Sequence, residues 1–155
     1  MRIRKLIIVN FIILFIASVQ GQQEQRWVLL PASEVAAVAN FYPLNGPEKI
    51  KGSWQPSKMD LESLDANIPQ IAGMNIKGWP SIIHIDHPEV YFRQYVPVFQ
   101  SGEKRIFVNA FCDVQDEPNW RSRLVIVSDG ATCFWHTLYD PATKKFTILY
   151  INPRA

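Results

Sequence analysis

The chain has 155 residues, of which 48% are hydrophobic, so it is long and apolar enough to form one domain with a packed core. Its formal net charge is +2, but the basic excess lies in the first five residues. Without Arg2, Arg4 and Lys5, 13 Lys and Arg stand against 14 Asp and Glu, a net charge of −1. A near-neutral domain without clustered basic residues argues against nucleic acid as a partner.

The N-terminus has the pattern of a secretory signal peptide. Three basic residues precede the apolar run 6–19, and Val19-Gln20-Gly21 suits cleavage by a signal peptidase. The run of about 14 residues is shorter than the roughly 20 that a membrane-spanning helix needs. We therefore predict a signal peptide over residues 1–21 and a single α+β domain over residues 22–155. The prediction includes no membrane span after cleavage and a secreted or periplasmic location.

Two helices are predicted in the first half of the domain. Residues 33–41 place apolar side chains at helical spacing after Ser33, which is a suitable N-cap. Residues 57–67 begin with Ser57 and Asp60, a capping-box pattern with Asp in place of Glu. The apolar stripe of this second helix continues to Ile71 and needs a sheet to cover.

Strands are predicted over residues 81–86, 90–100, 105–112, 122–128, 132–139 and 146–151. Pro97 cannot donate to a sheet ladder, so its strand is expected to be an edge or to carry a bulge there. Asp129-Gly130 predicts a two-residue hairpin that pairs residues 124–127 with 132–135. The fold class predicted is α+β, with N-terminal helices packed on a four- to five-stranded antiparallel meander. Both faces of the hairpin are apolar, so the second face needs sheet curvature, a partner chain or a ligand pocket.

The predicted layout is similar to cystatin-like and NTF2-like α+β folds. The C-terminal segment that runs from Asp129-Gly130-Ala131-Thr132-Cys133-Phe134-Trp135 to Tyr139-Asp140-Pro141-Ala142-Thr143 resembles a family of uncharacterised exported bacterial proteins. Neither resemblance implies an activity, because folds of this kind host unrelated functions.

Cys112 and Cys133 are the two cysteines of the chain. Export would place them in an oxidising compartment, which favours a disulfide. In a plain meander they lie two strands apart, roughly 9–10 Å, whereas a disulfide needs Cβ atoms about 4 Å apart. Either the strand order differs from a meander, or Cys112 folds back beyond the sheet edge, or both thiols are buried.

The densest group of ionisable side chains includes His84 and Asp86, which share a face of the predicted strand 81–86. Imidazole and carboxylate suit zinc, and His136 could join them as a third ligand or as a general base. Arg123, opposite His136 in the predicted hairpin, would disfavour the protonated imidazole. Spacing dictates no fourth ligand, so we predict no metal and no cofactor.

Aromatic side chains supply contact area for sugars or protein partners, and they also fill small cores. Trp79 and Trp120 fall in predicted loops, and Trp135 falls in the hairpin. We predict an exported, non-catalytic binding or interaction module for an unknown protein or small-molecule ligand. Its predicted working surface is the second sheet face or the loops around Trp79 and Trp120, with Trp79, Trp120 and Trp135 as the binding residues. One alternative is a small hydrolase with His84, Asp86 and His136 as catalytic residues. A second alternative is a structural subunit that forms a homodimer through its sheet.

Overall fold

A mixed sheet of seven strands forms the centre of the computed structural model, which describes residues 25–41 and 50–154. The predicted signal peptide lies outside these residues. The strands are β1 (Trp27–Leu29), β2 (Ile50–Lys51), β3 (Phe92–Gln100), β4 (Glu103–Phe111), β5 (Phe134–Asp140), β6 (Lys145–Phe146) and β7 (Tyr150–Ile151). The α-helices are α1 (Val35–Phe41) and α2 (Lys58–Asn67), and 3₁₀ turns cover Ala32–Glu34, Ile68–Gly73, Pro88–Val90 and Ala131–Cys133. Within the described ranges no helix is long and apolar enough to cross a membrane.

The strand order is β1-β3-β4-β5-β6, with β2 also paired to β3 and β7 also paired to β5. β1 runs parallel to β3, and the other pairs are antiparallel. The predicted α+β class is confirmed. The predicted antiparallel meander is wrong because the sheet is mixed, and β1 and β2 alternate with the helices along the chain.

The longest pairing is the β3–β4 hairpin, which runs from Phe92 opposite Phe111 to Gln100 opposite Glu103. Its two-residue turn, Ser101-Gly102, has φ values of 52° and 85°. Positive φ at both central residues is the geometry that matches the twist of paired strands. The predicted strands 90–100 and 105–112 are confirmed.

Pro97 lies in β3 at the gap between β1 and β2. Along the outer side of β3, Tyr95 O accepts a hydrogen bond from Leu30 N, and Phe99 N donates to Gly52 O. Pro97 has the same orientation as these alternate residues, and its carbonyl accepts a 2.9 Å hydrogen bond from Ser53 Oγ. Its missing N–H therefore faces a position where no ladder bond is needed, which fits the predicted local edge.

One face of the sheet is covered by α2 and the 3₁₀ turn that follows it. The predicted capping box is confirmed: Ser57 Oγ accepts from Asp60 N at 3.2 Å, and the Asp60 carboxylate accepts from Ser57 N at 2.8 Å. Leu64, Ile68 and Ile71 are fully buried in a core cluster with strand residues, among them Ile106, Val108, Trp135 and Tyr139. Each such side chain contributes about 1.5–3 kcal/mol relative to an exposed one.

The other face is covered by α1 and by residues 120–127. Val35 and Val38 of α1 pack in a second core cluster that includes Phe107 and Leu138. The helix prediction for residues 33–41 is confirmed in position. Ser33 is not its cap, because it lies inside the Ala32–Glu34 turn, whose N-cap residue is Pro31.

Residues 122–128 do not form the predicted strand, and buried side-chain amides explain why. Gln94 on β3 donates to Arg123 O, and its Oε1 accepts from Val125 N at 2.9 Å. Asn109 on β4 donates to Val125 O at 2.9 Å and to Gln94 Oε1 at 3.1 Å. Two side chains that project from the sheet face thus form hydrogen bonds with the backbone of this segment, in place of those that a neighbouring strand would form.

Both ends of the same segment are held in a similar way. Leu124 N donates to the Glu34 carboxylate at 3.0 Å. Asn152 donates to Val127 O at 2.6 Å and to Asp129 O at 3.1 Å. The segment therefore lies across the sheet face instead of extending the sheet.

Because residues 122–128 leave the sheet, β5 pairs directly with β4, and Trp135 lies opposite Ala110. The hairpin predicted around Asp129-Gly130 is wrong. Gly130, at φ 94°, instead leads into the Ala131–Cys133 turn. Cys133 then lies beside Cys112, and the two form a disulfide with Cα atoms 5.1 Å apart. The first of the three alternatives holds: the strand order differs from a plain meander.

Two further strand predictions change. Residues 81–86 form a loop in which Ile85 is buried, and residues 146–151 divide between β6 and β7. The separation reflects a register shift: two residues lie between His136 and Tyr139 on β5, whereas three lie between their partners Phe146 and Tyr150. One extra residue on one strand is the feature of a β-bulge. The predicted strand 132–139 is confirmed as β5, with a start at Phe134.

Candidate functional site

A concave site lies at the turn end of the β3–β4 hairpin, and we call it the Trp54 groove. Its volume is about 580 Å³, which falls within the roughly 300–1,000 Å³ typical of small-molecule sites. Trp54 forms part of its wall, residues 103–105 and 140–143 form much of the rest, and Asp60 contributes from the start of α2.

The Trp54 indole is held in one orientation by the hairpin. Its Nε1 donates to Val98 O at 3.1 Å and to Arg105 O at 2.9 Å, so it bridges β3 and β4. The ring is partly buried against the α2-side core. Lys104 Nζ lies 5.0 Å from the ring centroid, a cation–π contact worth about 0.5–1 kcal/mol at an exposed site.

Three of the charged side chains of the groove are paired with one another. The Arg105 guanidinium contacts the Glu103 carboxylate and lies 3.5 Å from Asp140 Oδ2. Asp140 Oδ1 accepts from the backbone N–H of Ala142 at 2.8 Å and of Thr143 at 3.3 Å. The turn between β5 and β6 thus orients the Asp140 carboxylate.

The pKa of Asp140 is lowered from its ordinary value. Burial opposes its ionisation, but hydrogen bonds from Ala142 and Thr143 and the charge of Arg105 outweigh that effect. Asp140 is therefore ionised at neutral pH, as an acceptor of hydrogen bonds and not a proton donor.

A second, smaller cavity of about 240 Å³ is lined in part by Trp79, His84, Asp86, Thr132 and Arg154, and we call it the Trp79 cavity. His84 and Asp86 are exposed. Residues 81–86, predicted as a strand, form a loop. The conformation of this loop, and not strand alternation, brings His84 and Asp86 to the same cavity.

His136 lies on the other face of the sheet. It is buried on β5, where its ring stacks on Tyr150 with centroids 5.4 Å apart and also contacts Phe41 and Phe107. Burial lowers its pKa to about 4. Arg123 does not lie opposite it, since Asn109 and Tyr150 are its strand partners.

The three predicted catalytic candidates are therefore not brought to one site. His84 and Asp86 share a cavity, whereas His136 belongs to the α1-side face. Over residues 25–41 and 50–154, no group of three or more His, Cys, Asp or Glu side chains is arranged to hold a metal ion.

Two of the predicted binding tryptophans are buried. Trp135 is inaccessible to solvent and packs against Tyr91, with ring centroids 5.7 Å apart. Trp120 contacts Phe92 and Phe111 edge-on. Trp79 is partly exposed at the cavity named after it. In the folded domain, Trp79 is the one of the three that is placed to contact a ligand.

The sequence offered a weak signal for the Trp54 groove, which was missed. Trp54 falls in a short connection between Gly52 and the Ser57 capping box, and an aromatic residue in such a connection is a candidate for a surface site. Arg105 and Asp140 gave no local signal, because only strand pairing brings them together. No family model, curated protein or solved structure matches the chain.

Proposed function

We propose that the protein is an exported, non-catalytic binding module and that the Trp54 groove is its binding site. The observation that carries the proposal is an indole fixed by two hydrogen bonds beside a set of mutually paired charges in a cavity of small-molecule size. Groups whose orientation is fixed before binding lose little entropy when a ligand arrives.

Export is supported by two features. The N-terminal pattern is that of a signal peptide, and the Cys112–Cys133 disulfide suits an oxidising compartment. Mass spectrometry of the protein recovered after expression in a bacterial host tests this point. We expect a chain that begins at Gln22, and an intact N-terminus at Met1 would contradict export by cleavage.

A binding role is favoured over catalysis by the state of the Asp140 carboxylate. A general acid needs a pKa raised toward the working pH, whereas that of Asp140 is lowered. The hydrolase alternative required His84, Asp86 and His136 to converge, and His136 lies on the opposite sheet face, so we do not propose it.

The working surface differs from the one predicted from the sequence. Among the described residues, α1 and residues 120–127 pack on the second sheet face, so this face is occupied by the protein's own chain. We therefore do not propose dimerisation through a sheet face. The proposed ligand is a small molecule or an exposed part of a larger molecule.

A thermal-shift screen of the purified protein tests the proposal. The compounds should cover sugars, amino acids, nucleotides, quaternary ammonium ions and short peptides. We expect at least one class to raise the melting temperature of the wild type and not that of Trp54→Ala. Trp79→Ala is the matched control, because it removes a partly exposed indole at the other cavity. A compound that raises the melting temperature of Trp54→Ala as much as that of the wild type would show that its binding site lies outside the Trp54 groove.

A further inference from the structure

We infer that the ligand of the Trp54 groove is a carbohydrate, bound with one pyranose ring against the Trp54 indole. The inference rests on the proposed function and adds the ligand class. A pyranose has an apolar face of C–H groups and a rim of hydroxyls, so it requires a flat apolar surface beside fixed hydrogen-bonding groups. The groove offers both.

The indole is the flat surface. Its two hydrogen bonds to Val98 O and Arg105 O prevent rotation of the ring. Lys104 Nζ, 5.0 Å from the centroid, covers part of it. Lys104 is an exposed, flexible side chain, and its contact with the ring is weak, so a sugar can replace it on the ring.

Polar side chains beside the ring are placed to hydrogen-bond the hydroxyls of a sugar. The Asp140 carboxylate and the Arg105 guanidinium hold each other at 3.5 Å, and Glu103 contacts the same guanidinium. A carboxylate oxygen has more than one lone pair, so each can accept a sugar hydroxyl without losing its present partner. The hydroxyl of Thr143, also at the groove, can both donate and accept.

The charge of the groove disfavours an anion, and its hydrogen-bonding groups favour a polyhydroxylated ligand. Its described lining includes two cations, Lys104 and Arg105, and three carboxylates, Asp60, Glu103 and Asp140, a net charge of −1. An anion would meet the carboxylates, and both cations already have partners. A quaternary ammonium ion would compete for the same indole face, but it carries no hydrogen-bond donor for the carboxylates and the Thr143 hydroxyl beside the ring. A polyhydroxylated neutral molecule can both stack on the ring and hydrogen-bond these groups.

Saturation-transfer NMR on the purified protein tests the ligand class. The probes are soluble disaccharides of glucose, galactose, mannose, xylose and N-acetylglucosamine, with tetramethylammonium and inorganic phosphate as non-sugar probes. We expect saturation of ring C–H protons of at least one disaccharide. In Trp54→Ala, the affinity for that disaccharide should fall at least about tenfold.

A second variant keeps the test decisive if Trp54→Ala fails to fold. Glu103→Gln changes a side chain that is 68% exposed, so the fold should persist while hydrogen bonding at the rim weakens. Glu62→Gln is its matched control, since Glu62 is 61% exposed and ion-paired with Lys58, outside the groove. We expect reduced sugar affinity in Glu103→Gln and unchanged affinity in Glu62→Gln.

The outcomes separate the two levels of the proposal. Binding of tetramethylammonium or phosphate alone, lost in Trp54→Ala or Glu103→Gln, overturns the carbohydrate inference and leaves the proposed binding site in place. Sugar binding that neither groove variant alters overturns the assignment of the sugar to this groove. No binding by any probe, together with no stabilising compound in the thermal-shift screen, overturns both.

Discussion

His136 should make the stability of the domain depend strongly on pH. The side chain is 5% exposed, and burial lowers its pKa to about 4 from an ordinary value of 6.5. Its ring is packed against Tyr150, Phe41 and Phe107. The folded state therefore favours the neutral imidazole, whereas the unfolded chain takes up a proton near pH 6.5.

The sign and size of the effect follow from this difference. Between the two pKa values the unfolded state binds more protons, so stability increases with pH there. The contribution of neutral His136 to the free energy of unfolding is fully present above about pH 6.5 and is lost as the pH falls toward 4. At about 1.36 kcal/mol per pKa unit the whole shift corresponds to roughly 3 kcal/mol, of which about 2 kcal/mol is lost by about pH 5.

Urea unfolding at about pH 7.5 and about pH 5 measures this loss. His136→Phe keeps an aromatic ring in the same position and removes the titrating group. We expect the difference in free energy of unfolding between the two pH values to shrink by about 2 kcal/mol in this variant. His84→Gln, at an exposed position, serves as the control and should keep the wild-type difference. A wild-type pH difference in His136→Phe would refute the reasoning.

Two other variants address the segment that lies across the sheet. Asn109→Leu leaves Val125 O and Gln94 Oε1 without the Asn109 donor, so we expect a loss of about 2–4 kcal/mol in urea unfolding. Amide exchange of Val125 should become faster, and wild-type protection there would contradict the role given to Asn109. Cys112→Ser combined with Cys133→Ser opens a loop with a sequence separation of 21. This should cost about 3 kcal/mol, and reduced wild type should be destabilised to the same extent if the disulfide alone is responsible.

Some local signals in the sequence predicted local structure correctly. The Ser57 and Asp60 capping box involves atoms three residues apart, and it forms as expected. The hairpin turn at Ser101-Gly102 likewise depends on the positive φ of two adjacent residues. In these two cases the partners are neighbours in the chain. Asp129-Gly130 is an equally local signal, but the hairpin that it predicts does not form, because its two flanking segments do not pair.

The error over residues 122–128 has a long-range cause. Their β-branched residues suit a strand, but the segment does not enter the sheet. Gln94 and Asn109, buried on β3 and β4, hydrogen-bond the backbone of the segment from the sheet face. A polar residue at an inward-facing position of an apolar strand is the available signal, but the sequence does not specify which backbone groups it binds.

The same two amides account for the groove as well as for the disulfide. In the predicted meander, residues 122–128 would lie between β4 and β5, and Arg105 and Asp140 would be separated by two strand spacings, about 9–10 Å. In the folded chain β4 pairs directly with β5, and the side chains of Arg105 and Asp140 lie 3.5 Å apart. The site therefore depends on an arrangement at the far end of the same strands, where the segment is kept out of the sheet. This explains why its residues could be predicted individually as polar or aromatic but not as members of one groove.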